Sequence, residues 1–184
     1  MKALIPVADG VEDIETVTLI DVLRRAQMDV TVASIEHELT ITCAHGSKLT
    51  ADMAFKDAAK SEYQLIALPG GAKGSAALAK NKLLIEKLKT QRTNRRWYGA
   101  LCASPALVFA AHGLLEGKRA TCYPSFKDQL DRYIDAPVVD DGHCITGQSP
   151  GAAMAFALKL VELVCGEKIH QKVVQELVLP ATYS

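Results

Sequence analysis

Short apolar blocks alternate along the chain with longer amphipathic stretches, and this alternation predicts most of the elements. Residues 2–8 are an apolar run ended by Asp9-Gly10, the pattern of a buried strand and a turn. Residues 12–26 read as a helix whose apolar positions Ile14, Val17, Ile20, Val22 and Leu23 cover much of its circumference, as for a helix packed on a sheet. A β-branched run at 29–35 completes a strand–helix–strand unit, which implies a parallel sheet. Residues 39–50 read as a hairpin around His45-Gly46. The run 63–68 is a buried strand stopped by Pro69-Gly70-Gly71, with a helical stretch from 75 to 90 after it. A further strand enters Cys102 and a helix follows, closing at His112-Gly113. Residues 119–123 form a short strand before Pro124, and 137–146 a second hairpin around Asp141-Gly142. Ser149-Pro150-Gly151 opens a helix over 152–164, and Gly166 separates it from a last one over 169–179.

Alternating strands and helices predict one α/β domain over residues 1–184, an open, doubly wound, mostly parallel sheet with helices on both faces. Ligands of such sheets sit beyond the carboxyl ends of strands, near the point where strand order reverses. Asp9-Gly10, Pro69-Gly70-Gly71 and Cys102 all fall at strand carboxyl ends, so chemistry is expected there.

Composition narrows the functional classes. Apolar residues make up 49% and charged residues 23%, ordinary for a soluble globular chain. The 21 basic and 21 acidic residues cancel, so no overall charge points to nucleic acid or an anionic membrane. The basic run at 87–96 reads as a solvated helix end. Five cysteines, none spaced C-x-x-C, and an opening directly on a strand favour the cytoplasm, free thiols and no metal site. No apolar run reaches the roughly 18 residues of a membrane span.

The candidate nucleophile is Cys102. A cysteine on a tight strand-to-helix turn projects from a strained backbone, and the positive end of the following helix favours its thiolate. Pro105 suits a first helical turn, where its missing N–H does no harm. Beside it, the N–H groups of Gly70, Gly71 and Ala103 could hold an oxyanion developing on a carbonyl. Gly70-Gly71 lacks both phosphate-loop patterns. Glu12 complements the helix dipole, while Glu15, flanked on its helix face by Val11, Thr18 and Leu19, points inward. A carboxyl kept from water stays protonated near neutrality and can shuttle a proton.

The residues Asp9-Gly10-Val11-Glu12-Asp13-Ile14-Glu15, Leu68-Pro69-Gly70-Gly71 and Ala100-Leu101-Cys102-Ala103-Ser104-Pro105 resemble the DJ-one/ThiJ/PfpI superfamily, in the branch of the Parkinsonism-associated human protein and bacterial ThiJ-type proteins. The likeness continues through Arg24-Arg25-Ala26, Val30-Thr31-Val32-Ala33, Tyr123-Pro124 and Gln148-Ser149-Pro150-Gly151, so it covers essentially the whole chain. It implies a flavodoxin-like homodimer, with Cys102 as the oxidisable cysteine, Glu15 holding a proton against it, and Gly70, Gly71 and Ala103 as oxyanion donors. Tyr123, Pro150 and His45 are implied as outer contributors, His45 near the partner's site.

Two departures weaken a peptidase or amidase reading. Ala103 follows Cys102 where a histidine base would stand, and Tyr123 replaces a histidine found in some relatives, its pKa of ~10 making it a poor base. From the residues alone all five histidines, at 37, 45, 112, 143 and 170, read as surface or capping residues. The resemblance then implies a cofactor-free glyoxalase or deglycase acting on methylglyoxal, glyoxal or their adducts. The alternative is a peroxide-sensing protein or redox-regulated chaperone working through a Cys102 sulfinate.

Overall fold

A computed structural model describes residues 1–180. Its strands are β1 (Lys2–Val7), β2 (Asp29–Ser34), β3 (Thr40–Thr42), β4 (Lys48–Thr50), β5 (Met53–Ala54), β6 (Leu65–Leu68), β7 (Trp97–Leu101), β8 (Val138–Asp141) and β9 (Cys144–Gly147). The helices are α1 (Asp13–Arg25), α2 (Phe55–Ala58), α3 (Ala72–Lys80), α4 (Lys82–Thr93), α5 (Ala153–Cys165) and α6 (Glu167–Glu176). Seven strands form one sheet in the order β5-β2-β1-β6-β7-β9-β8, parallel throughout except for the β8–β9 hairpin. This is the expected flavodoxin-like α/β fold. Strands β3 and β4 pair apart from it as the expected antiparallel hairpin.

From β1 the chain crosses to β2 on one side, and β6 lies on the other, so strand order reverses between β1 and β6. Right-handed crossovers in opposite directions put α1 on one face and the α3–α4 pair on the other. The packing agrees: α1 lies against α5, which carries α6, while α3 packs on α4 and on the segment after Cys102. The central strands are buried on both faces and apolar throughout, Leu4, Ile5, Leu65, Ile66 and Leu68 among them. Tyr98 is also buried, its hydroxyl donating to Leu114 O at 3.0 Å and its ring meeting Phe109 edge-on.

Several expectations are corrected. The helical stretch 75–90 is two helices, because Asn81 leaves the helical conformation (ψ 99°) and its side chain accepts the Leu84 N–H, capping α4. Residues 119–123 form no ladder strand, only an isolated bridge from Ala120 to Tyr133. The segment after Cys102 is a π-helical turn (Pro105–Phe109) and then a 3₁₀ turn (Ala110–His112), ended by left-handed Gly113. On α1, Ile14 and Val17 are 59% and 52% exposed, so they face away from the sheet. The short β5 and α2 were not anticipated.

Candidate active site

The reversal point gathers three segments: the N-terminus of α1 after β1, the Pro69-Gly70-Gly71 loop after β6, and Cys102 after β7. Cys102 has φ +61°, a left-handed conformation that an L side chain adopts only under constraint. Two hydrogen bonds supply it: its N–H donates to Gly147 O at 2.9 Å, and its carbonyl accepts the Tyr123 N–H at 2.7 Å.

Helix α1 begins at Glu12, whose carboxylate caps it by accepting the Glu15 N–H at 2.7 Å. Glu12 N–H donates to Gly70 O at 3.0 Å, which joins the helix start to the glycine loop. The cap turns Glu15 inward, where it is fully buried. Its Oε2 accepts the Gly70 N–H at 2.6 Å, while Oε1 has no partner meeting hydrogen-bond geometry among the described residues. Gly70, expected as an oxyanion donor, is therefore committed to Glu15. Its second requirement is space, since a β-carbon there would lie 2.6 Å from Cys102 Cβ and 2.7 Å from Glu15 Oε2. The N–H groups of Gly71 and Ala103 are the pair directed at the Cys102 sulfur.

Burial dominates the electrostatics. Glu15 is pushed up to about 7, first by loss of water and further by the Glu12 charge, against the hydrogen bonds from Gly70 and Cys102. The Cys102 thiol is pushed up to about 12, first by burial and next by the Glu15 charge, with the Gly71 and Ala103 N–H groups opposing. The expectation of a lowered thiol is thus overturned by burial, although the peptides of the continuous helical segment after it, the π turn and the 3₁₀ turn, still point their N-terminus at Cys102. The two groups are coupled, because the Glu15 charge is the second cause raising the thiol. When Glu15 holds the proton its charge is gone and it can donate to sulfur, so the pair titrates as a unit with the last proton on either partner.

A serine bridge that sequence reasoning missed locks the cysteine turn to the glycine loop. Buried Ser104 Oγ donates to Pro69 O at 2.6 Å and lies 2.8 Å from Ser75 Oγ on α3. Only the position of Ser104, two residues after the nucleophile in an apolar run, could have signalled it.

The outer residues spread more widely. Tyr123 contributes its backbone N–H to the site while its side chain is 42% exposed. Pro150 opens the 3₁₀ turn (Pro150–Ala152) that follows β9, the strand beside β7. His45 lies on the β3–β4 loop, largely exposed, with Nε2 3.9 Å from Glu12 Oε1. Asp13 fixes that loop by accepting the N–H groups of His45 and Ser47 at 2.8 and 3.1 Å, and its carboxyl is held below the usual range first by the Ser47 side chain and then by these N–H groups. No three His, Cys, Asp or Glu side chains among the described residues are gathered to hold a metal ion. No helix among them is long and apolar enough to cross a membrane.

A flavodoxin-like sheet with a strained cysteine facing a buried carboxyl at its reversal point defines the class: an α/β protein with a cysteine elbow. The chain belongs to the DJ-1/PfpI family, whose model matches residues 1–163. It is 36% identical over 182 residues to Protein dj-1beta of Drosophila melanogaster, covering 97% of each chain. It is also 36% identical to Glutathione-independent glyoxalase DJR-1.2 of Caenorhabditis elegans, covering 96% of this chain and 94% of the relative. The structure of oxidized Toxoplasma gondii DJ-1 superposes with a TM-score of 0.94 at 36% identity, covering 96% of this chain and 97% of that one. The chain spans only about two-fifths of the length of the Arabidopsis thaliana homologs A and B, matching 43% and 39% of them.

Proposed function

We propose that this protein is a cofactor-free, glutathione-independent glyoxalase that converts glyoxal or methylglyoxal to the 2-hydroxy acid. The observation that carries the reading is the buried, mutually interacting Cys102–Glu15 pair beside the Gly71 and Ala103 N–H groups. The similarity to a relative named as a glutathione-independent glyoxalase supports it.

In this reading the Cys102 thiolate adds to the aldehyde carbon, and the oxygen that becomes negative is met by the Gly71 and Ala103 N–H groups. Glu15 protonates that oxygen and gives a hemithioacetal. Its carboxylate then takes the proton from the former aldehyde carbon and returns it to the neighbouring carbon, while the hydroxyl proton passes to the neighbouring carbonyl oxygen, leaving the thioester of the 2-hydroxy acid. Water hydrolyses the thioester, frees the 2-hydroxy acid and restores the thiol, so dicarbonyl plus water balances the product. A carboxyl near 7 gives and takes protons with little penalty at neutral pH. Deglycation would apply the same attack to an adduct already formed on an amine or thiol.

A second reading is a peroxide sensor or redox-regulated chaperone. It is favoured by the likeness to a T. gondii structure described as oxidized, and by a neutral Glu15 able to donate to a Cys102 sulfinate. In either reading we propose a homodimer joined through the apolar face of α1 that carries Ile14 and Val17. Five free cysteines, four of them buried, suit the cytoplasm.

The deciding experiment gives methylglyoxal to the protein and to its Cys102→Ser variant and measures chiral lactate. Turnover lost in the variant supports the enzyme. Negligible turnover in both supports the sensor.

A further inference from the structure

The basic run at 87–96 takes no part in the Cys102 site, but in the folded chain it helps to build a cavity of its own. A space of about 400 Å³ opens at the amino-terminal edge of the sheet, over Tyr98, with Arg92, Arg95, Lys118, Glu116, Asp141 and His143 in its walls. That volume is in the range of small-molecule sites. Along β7 it lies roughly 13 Å from Cys102, at ~3.3 Å per residue.

Arg95 is the residue that asks for an explanation. It stands just beyond the Asn94 cap of α4 with φ +52°, a left-handed position that glycine or asparagine ordinarily fills. An arginine is retained there at a backbone cost, and its guanidinium has no ion-pair or hydrogen-bond partner among the described residues. The other two cations are anchored. Arg92 donates to the carbonyls of Gly113 and Glu116, and Lys118 Nζ donates to Asp141 O at 2.8 Å. Anchoring leaves the charge in place and removes most of the entropy lost on gripping an anion.

The two carboxylates do not neutralise the cavity. Asp141 is shared, accepting the Arg119 N–H at 3.0 Å and lying 3.6 Å from the Arg119 guanidinium and 3.9 Å from Lys118 Nζ. Glu116 points largely into solvent, 3.6 Å from Arg92. The His143 ring, also in the wall, packs against Trp97 with centroids 4.8 Å apart and planes tilted by 48°.

We propose that this cavity binds a phosphorylated small molecule of mononucleotide size, its phosphate held by Arg92, Arg95 and Lys118 and its ring lying on His143. Guanidinium forks match phosphate oxygens in geometry as well as charge. The site is separate from the Cys102 chemistry and stands or falls independently of it.

The test titrates the full chain with inorganic phosphate, pyrophosphate and adenosine monophosphate, followed by calorimetry and amide chemical shifts. Saturable binding is expected, tightest for the nucleotide, with shifts at residues 92–95, 117–118 and 142–143. Arg95→Gly, which suits the left-handed backbone, should weaken binding about tenfold or more without lowering the melting temperature. Lys118→Gln should weaken it as well, and methylglyoxal turnover should be unchanged in both. The proposal is overturned by no saturable response to any probe, by variants that bind like the parent, or by sodium chloride of equal ionic strength competing as well as phosphate. Equal affinity for phosphate and the nucleotide would overturn the ring contact with His143.

Discussion

Gly70 donates its N–H to Glu15 Oε2 at 2.6 Å across 55 residues of sequence, and a β-carbon at Gly70 would strike both that oxygen and Cys102 Cβ. One backbone unit thus orients the carboxyl and leaves the gap through which it meets the thiol. Gly70→Ala is expected to destabilise the fold by about 1–3 kcal/mol through overpacking and to abolish aldehyde turnover. Urea melts alongside lactate formation check this, and a Gly70→Ala protein with parental stability and turnover would contradict the close approach.

Glu15→Gln keeps an acceptor for the Gly70 N–H but removes the shuttled proton. Turnover should fall by roughly 10²–10⁴-fold. Stability should move the other way. A carboxyl raised from 4.5 to about 7 is bound to its proton more tightly in the folded state. The stability this gives is complete below pH 4.5 and is lost as pH rises through about 7. The amide does not titrate, so the variant should gain on the parent across that window, by about 3 kcal/mol at its upper end. Thermal melts from pH 4 to pH 8, read as the difference between the two proteins, test the sign, and a flat difference would place Glu15 outside the buried pair.

Much of this site was legible in sequence because Cys102, Gly70-Gly71 and Glu15 each occupy a junction between elements, where turn chemistry and helix periodicity both speak. What could not be read was how the junctions meet. Whether Gly70 N–H faces an oxyanion or a carboxyl depends on the side to which the α1 cap rotates Glu15, which is a tertiary fact. The same holds for Ile14 and Val17, whose apolar character suited a helix packed on a sheet although they face outward. The break at Asn81 was legible in principle, since asparagine is a favoured N-cap residue; the continuous run of good helix formers obscured it. Nothing in an apolar stretch signals a π-helical turn.

Ser104→Ala should loosen the glycine loop. It strips Pro69 O and Ser75 Oγ of their buried partner, which costs about 1–3 kcal/mol. Ser75→Ala alone should cost less, and the double variant should fall short of the sum because the residues share one network. Denaturant titration of all three gives the coupling, and strict additivity would show that the bridge does not act as a unit.

The exposed apolar face of α1 predicts a dimer that one charge can split. Val17→Glu should sediment as a monomer at micromolar concentration where the parent is dimeric, with helical content retained. A parent that sediments as a monomer would remove α1, and His45 with it, from any shared site.

Mild peroxide should oxidise Cys102 before Cys43, Cys122, Cys144 or Cys165, although all five thiols are raised by burial. Peroxide reacts with the thiolate, so the question is which cysteine can form one near neutrality. Cys122 is held at about 11 by burial alone and has no group to take its proton. Cys144 is held up by burial, and the group that hydrogen-bonds it is the Tyr98 hydroxyl, itself pushed far above its ordinary range. Cys165 ends α5, where the dipole opposes a negative charge. Cys102 alone faces a carboxyl raised to about 7 that can take its proton, so its oxidation rate should rise as pH passes through about 7, where the pair loses its first proton. In Glu15→Gln that partner is gone, burial governs, and the rise should move to higher pH. The expected product is the sulfinic acid, which a neutral Glu15 can hold by donating to one of its oxygens. Glu15→Asp shortens that reach and should let oxidation run further. Peptide mass spectrometry after graded peroxide at several pH values reads each of these points. If another cysteine gains two oxygens first, Cys102 is not the reactive thiol and the pair is not the site.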